Sequence, residues 1–222
     1  FTSRAFIEGL DATDPLASFR QEFVITDEDT CYLDGNSLGR LPLATIGVVN
    51  DFLHNEWGAQ MVSGWNSWID EAQSTGDLIG RATLGVESGQ MLAVDTTSVN
   101  FYQLCHAAIT ARPGRHKVIS DTANFPTDRY ILEGLCQELG CELILINDED
   151  GEEYVTPEML APYLDDDVAL VTFSVIQYRS GALHDIARVS QMTRDAGALC
   201  VWDASHAVGV VPMQLDRDNA GL

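Results

Sequence analysis

"ALCVWDASH", residues 198–206, decides the fold. An apolar run ends in an acid, Asp203, and His206 follows three residues later. A short continuous apolar run closed by a polar residue reads as a strand buried on both faces. The same pattern recurs upstream in "KVISD" (117–121), "ELILIN" (142–147) and "ALVTFSV" (169–175), and "MLAV" (91–94) reads as a further strand ending at Asp95. Helical runs lie between them. One opens with hydroxyl residues at 96–98, one runs to Leu139 and stops at Gly140, a short one opens at "TPEML", and "IARVSQMTRDAG" (186–197) ends in glycine. Alternating strands and helices predict an α/β doubly wound architecture, with a mainly parallel sheet and helices on both faces. Ligands in such sheets bind outside the carboxyl ends of the strands, so the residues just after each strand carry the functional reading.

After the first run, Thr97 and Ser98 stand with Thr96 at a helix N-terminus. Free N–H groups and the positive end of the dipole suit an anion there, although one hydroxyl could simply be the cap. After the second comes "NFPTDRY" (124–130), which offers Phe125 as an apolar disc, Thr127 as a candidate cap and Asp128 in the first helical turn. After the fourth, "ALVTF", come Ser174 and "QYRSG" (177–181), and after the last come Asp203 and His206. A buried acid needs a partner. A local bond to His206 would supply one, and so would a protonated heteroaromatic nitrogen. A phosphate site, an aromatic plate and an acid for a ring nitrogen together describe the protein half of a pyridoxal phosphate site. No G-x-G-x-x-G follows a strand, which excludes the nicotinamide reading.

The net charge of −22 disfavours nucleic acid and anionic membrane as partners and fits solubility or adaptation to salt. Two acidic clusters, 147–153 and 165–167, read as solvated loops. Five cysteines without a C-x-x-C pair point to reduced thiols rather than a disulfide framework or a metal site. No apolar run approaches the roughly 18–20 residues that span a bilayer, so a cytoplasmic protein is expected. Near the N-terminus, "CYLDGNSLGRLP" (31–42) is turn-rich. "LATIGVVNDFLHNEWG" (43–58) reads as a helix with Ile46, Val49, Phe52 and Leu53 on one face, and "SGWNSW" (63–68) brings two tryptophans together.

"YLDGNSLGRLP", "DTTSVN", "NFPTDRY", "QYRSGALHDI" and "VWDASHAVGVVP" occur in that order from about residue 30. Together they resemble the kynureninases, fold-type-I pyridoxal phosphate enzymes. The resemblance implies a partial fold-type-I large domain over 61–222, incomplete at its C-terminus, and an N-terminal segment, 1–60, belonging to a small domain and its linking helix. It implies hydrolysis of L-kynurenine or its 3-hydroxy form to the anthranilate and L-alanine, in tryptophan degradation and NAD biosynthesis, by a homodimer. Thr97 and Ser98 would bind the cofactor phosphate and Phe125 would stack on its ring. Asp128, Ser174, Asp203 and His206 would surround it, while Asn36, Ser37 and Trp65 would face the substrate. Such enzymes also need a Schiff-base lysine, expected a couple of dozen residues beyond the acid of the D-x-x-H motif. The only lysine here is Lys117, which opens a strand at the end opposite the expected site, the other eleven cations being arginines. The chain is therefore expected to be the N-terminal part of a longer enzyme and inactive alone. Competing expectations are another fold-type-I activity, such as a cysteine desulfurase or lyase, or a non-catalytic assembly subunit.

Overall fold

The computed structural model describes residues 3–146, 154–218 and 220. The acidic cluster 147–153 lies outside the described residues. Contacts divide the chain into two compact units, Phe1–Ile69 and Asp70–Leu222, where the sequence reading puts its division after residue 60.

The first unit is helical. Helix α1 (Arg4–Thr13) is capped by Ser3, whose hydroxyl accepts from the Phe6 N–H. Helix α2 (Leu43–Asp51) continues through a π-helical stretch, Phe52–Trp57, into α3 (Gly58–Gln60). The Gly58 N–H reaches back five residues to the Leu53 carbonyl, and a β-carbon on Gly58 would lie 2.8 Å from that oxygen. Helix α4 (Trp65–Trp68) follows. Trp65 and Trp68 meet edge to face at 6.2 Å, and the Trp68 indole donates to Glu56 at 2.8 Å. Among the described residues of this unit only Gly64 is buried, and the apolar face of α2 lies open, with Ile46, Val49, Phe52 and Leu53 all exposed.

The second unit opens with α5 (Glu71–Ile79), which runs on through a π-helical turn to Leu84. Helix α6 (Thr97–Thr110) precedes β1 (Lys117–Asp121), α7 (Pro126–Leu139), β2 (Glu142–Ile146), α8 (Pro157–Leu160), β3 (Val168–Ser174), α9 (Ile186–Asp195) and β4 (Leu199–Asp203). The four strands form one sheet in the order β2-β1-β3-β4, every pair parallel. Strand side chains alternate between two cores. Val118, Leu170 and Val201 pack under α6 and α7 with Phe101, Cys105, Leu132 and Leu135. Ile119, Val171 and Cys200 pack on the other face with Leu160 and Val189, from α8 and α9. The strands are therefore sheathed on both sides, and their near-unbroken apolar runs follow from that. All five cysteines are free, and Cys105, Cys136 and Cys200 are buried.

Two sequence expectations fail locally. "MLAV" (91–94) is not a strand. The run is held by α5 instead: the Ala93 N–H donates to the Ala72 carbonyl and the Gln73 amide donates to the Met91 carbonyl, both at 2.9 Å. An apolar run becomes a strand only with a ladder partner, and none pairs with it among the described residues. Gly76 permits this close approach, since a β-carbon there would lie 2.2 Å from the Met91 oxygen. Thr127 is not a cap, because Pro126 already occupies the first helical position of α7 and Phe125 stands at the cap without a side-chain bond.

No helix among the described residues is long and apolar enough to cross a membrane. Among the described residues strand β4 pairs on one side only, with β3. A cavity of ≈ 600 Å³ is lined by Met91, Leu104, Val201, Trp202 and Leu215, among others.

Candidate active site

The chain order along the sheet reverses between β1 and β3, because β1 leads outward to β2 while β3 and β4 build the other way. The crevice at the carboxyl ends of the strands at such a reversal is where open α/β sheets take ligands. Asp121, Ser174 and Asp203 are the last residues of β1, β3 and β4.

Asp203 is buried. One carboxylate oxygen accepts from the Ser205 N–H at 2.8 Å and from the Ser205 hydroxyl at 2.6 Å. The Ser174 hydroxyl lies 3.4 Å from the other oxygen and 2.8 Å from the Asn124 side-chain carbonyl. A hydroxyl has one proton, so the shorter contact takes it. Asn124 is fixed in turn: its amide donates to the Ser120 hydroxyl at 3.0 Å, and its oxygen accepts the Phe125 N–H at 2.8 Å. This network holds the start of α7 against the sheet.

Asp128 reaches the same place from the first turn of α7 and is 2% exposed. Burial pushes its carboxyl up to about 7, reinforced by the charge of Asp203 and a hydrogen bond with it. Asp128 therefore keeps its proton to a higher pH than a free carboxyl does. The second oxygen of Asp128 is buried without a hydrogen-bond partner, and so is Nδ1 of His206. The Phe125 ring stands 6.2 Å from the His206 ring and 5.2 Å, edge to face, from Tyr178.

Thr97 and Ser98 occupy the first turn of α6 and are exposed. The capping role falls to Thr96, whose hydroxyl accepts from the Val99 N–H at 3.4 Å. Asp95 turns the chain into the helix with a left-handed φ of 49°. Lys117 sits at the opposite end of the sheet, at the start of β1, paired with Asp165 at 2.6 Å.

Asn36, Ser37 and Trp65 belong to the first unit. Asn36 and Ser37 lie in an exposed turn closed by a bond from the Ser37 N–H to the Asp34 carbonyl, and Trp65 opens α4 with 60% of its surface exposed. The sequence reading missed Asp121 and its partner Gln177. Asp121 ends "KVISD" as Asp203 ends "ALCVWD", so the rule that marked one acid also marks the other.

The family model for aminotransferase class-V matches residues 86–220, which take in β1 to β4 and every residue of this cluster. The chain belongs to the aminotransferase class-V family. Within this pyridoxal phosphate-dependent family its similarity is to kynureninases. It is 36% identical to the kynureninase of Pseudomonas fluorescens over 99% of its own length. The chain spans about half the length of the curated relatives it matches, 52% in that case. Among solved structures, a mutant of the cystine C–S lyase C-DES with glycine linked covalently to its pyridoxal phosphate superimposes at a TM-score of 0.70. That match covers 98% of this chain and 53% of the other at 13% identity. The cysteine desulfurase CsdA of Escherichia coli gives 0.69 over 91% and 52%, at 15% identity. At such identities the likeness to these two structures extends to the fold alone. The fold is the fold-type-I pyridoxal phosphate enzyme fold, present here as a partial domain.

The class-V cofactor fits the residues present. Nδ1 of His206 and one oxygen of Asp128 are buried without a hydrogen-bond partner, and a polar ligand would satisfy both. Phe125 offers a ring face beside them, and the first turn of α6 offers N–H groups and two hydroxyls.

Proposed function

We propose that the chain supplies the cofactor-binding half of a kynureninase, acting in the hydrolytic cleavage of L-kynurenine or its 3-hydroxy form to the anthranilate and L-alanine. The similarity to the Pseudomonas fluorescens kynureninase across 99% of the chain carries the reading. The desulfurase neighbours share the fold at less than half that identity.

Pyridoxal phosphate, when bound, supplies an electron sink for the carbon skeleton of an amino acid. In this proposal Asp203, already holding two Ser205 donors, keeps its remaining oxygen for the protonated ring nitrogen. Asp128 holds that carboxylate in place from α7, and Ser174, its proton given to Asn124, stands beside it at the end of β3. Phe125 covers one ring face, and His206 presents its free Nδ1 to the ring's polar edge. Thr97 and Ser98 donate to the phosphate at the α6 N-terminus. Lys117, ion-paired at the far end of β1, is not the covalent anchor, so the 222-residue chain binds the cofactor without a covalent link and does not turn over alone. Pathway and homodimeric state follow the kynureninase reading and stand or fall with it; the cytoplasmic location is a separate proposal.

Anthranilate fluorescence released from L-kynurenine, set against sulfide released from cysteine, tests the reading on the protein purified from its own cells. Sulfide without anthranilate would replace it with the desulfurase reading. Borohydride reduction of the isolated chain with pyridoxal phosphate is expected to leave Lys117 unlabelled.

A further inference from the structure

A small cleft, ≈ 180 Å³, opens between the loop before α7 and the loop after β3. Thr122, Asn124, Arg129, Gln177, Tyr178 and Arg179 line it, and none of them is among the residues assigned to the cofactor. It is smaller than the roughly 300 Å³ at which pockets begin to take drug-sized molecules.

Its inner wall is Gln177, 2% exposed. The Gln177 amide nitrogen donates to both carboxylate oxygens of Asp121 at 3.2 Å. That settles the orientation of the amide, since the reverse would set its oxygen against the carboxylate. The oxygen Oε1 is therefore turned away from Asp121, and it is buried with no hydrogen-bond partner. Arg129 lines the same cleft. Its Nη1 donates to the Thr122 carbonyl at 3.1 Å, while its Nε is buried with no partner. Arg179 adds a second guanidinium, resting 5.5 Å from the centroid of the Tyr178 ring. One cleft thus holds an orphan acceptor, an orphan donor and two cations, in a chain of net charge −22.

We propose that this cleft binds a small oxyanion that carries its own hydrogen-bond donor. The anionic oxygens take the Arg129 Nε–H and the Arg179 fork, and the donor takes Gln177 Oε1. Hydrogen phosphate and an amino-acid zwitterion share this chemistry. Sulfate at neutral pH has the oxygens and lacks the proton, so the site is expected to discriminate against it. Water would satisfy the two orphans and leave the Arg179 guanidinium without an anion, Arg129 already standing within reach of the Asp121 charge. Asn124 joins the cleft to the cofactor cluster through Ser174, and Tyr178 joins it through Phe125. The proposal does not depend on which reaction the chain serves.

Calorimetric titration of the 222-residue chain with inorganic phosphate, glycine and sulfate, at constant ionic strength, tests it. Saturable binding of phosphate or glycine is expected, and which of them binds names the source. Sulfate is expected to be at least about tenfold weaker, the loss that goes with one missing charge-assisted hydrogen bond. Arg179 is exposed, so R179Q should keep its fold, checked by circular dichroism, and lose at least about tenfold in affinity. Q177L should abolish the preference over sulfate. Phosphate also suits the α6 N-terminus, so phosphate affinity that survives R179Q and falls with T97V would belong to that site instead. No saturable binding of either ligand, affinity untouched by R179Q, or affinity lost with T97V instead would each overturn the proposal.

Discussion

Three buried titratable side chains set how stability follows pH, and they pull in opposite directions. Burial in a box of Phe173, Tyr154 and Trp202 holds the His184 imidazole down at about 4. The folded state then binds fewer protons than the unfolded one between about 6.5 and 4. Stability from this group is present above 6.5 and is lost as pH falls through that window. Burial raises Asp121 to about 6 and Asp128 to about 7, so their contribution is present at low pH and is lost as pH rises from about 4 through those values. Urea denaturation across pH separates the two. H184F is expected to flatten the acid limb, worth on the order of 3 kcal/mol. D128N is expected to flatten the opposite slope and to stabilise the ligand-free chain at pH 8 by on the order of 1–4 kcal/mol. At the same scale, D203N should weaken pyridoxal phosphate binding by roughly ten- to a hundredfold, the range for a hydrogen bond to a charged group. Absorbance titration reads that loss, and unchanged affinity would remove Asp203 from the site.

At the scale of elements, the start of α6 divides its labour between neighbours. T96A removes the cap and should cost about 1 kcal/mol in denaturant unfolding while leaving cofactor affinity near its starting value. T97V should do the reverse. The end of β4 was legible in the sequence because its apolar run stops at an acid, which located Asp203, with His206 three residues on, without coordinates. The helix stop at Gly140 was legible too, and its left-handed φ of 69° shows why glycine stands there. "MLAV" was misread because a run of four apolar residues records burial and says nothing about a neighbour to pair with. Gln177 was passed over for a related reason. Its partner Asp121 lies 56 residues away in the chain, and only the packing of β1 beside β3 brings them together.

The whole molecule is uneven. The second unit has two dense cores, one on each sheet face, whereas in the first unit Gly64 alone is buried among the described residues. A helix such as α2, apolar over much of its surface and open to solvent, gains little from packing. Limited proteolysis should therefore clear residues before about Ile69 first and leave a fragment from about Asp70 that keeps its circular dichroism. Equal cleavage of both units would contradict that order of local stability.

The one-sided pairing of β4 has a colloidal consequence. Among the described residues no strand pairs with its far flank, and "LCVWD" holds no lysine or proline to blunt that edge. What keeps two such molecules apart is their shared negative charge, and salt shortens its reach from about 30 Å at 0.01 M to about 8 Å at 0.15 M. Light scattering from the pure chain should grow with added sodium chloride, the opposite of what a protein gathered by ion pairs would show.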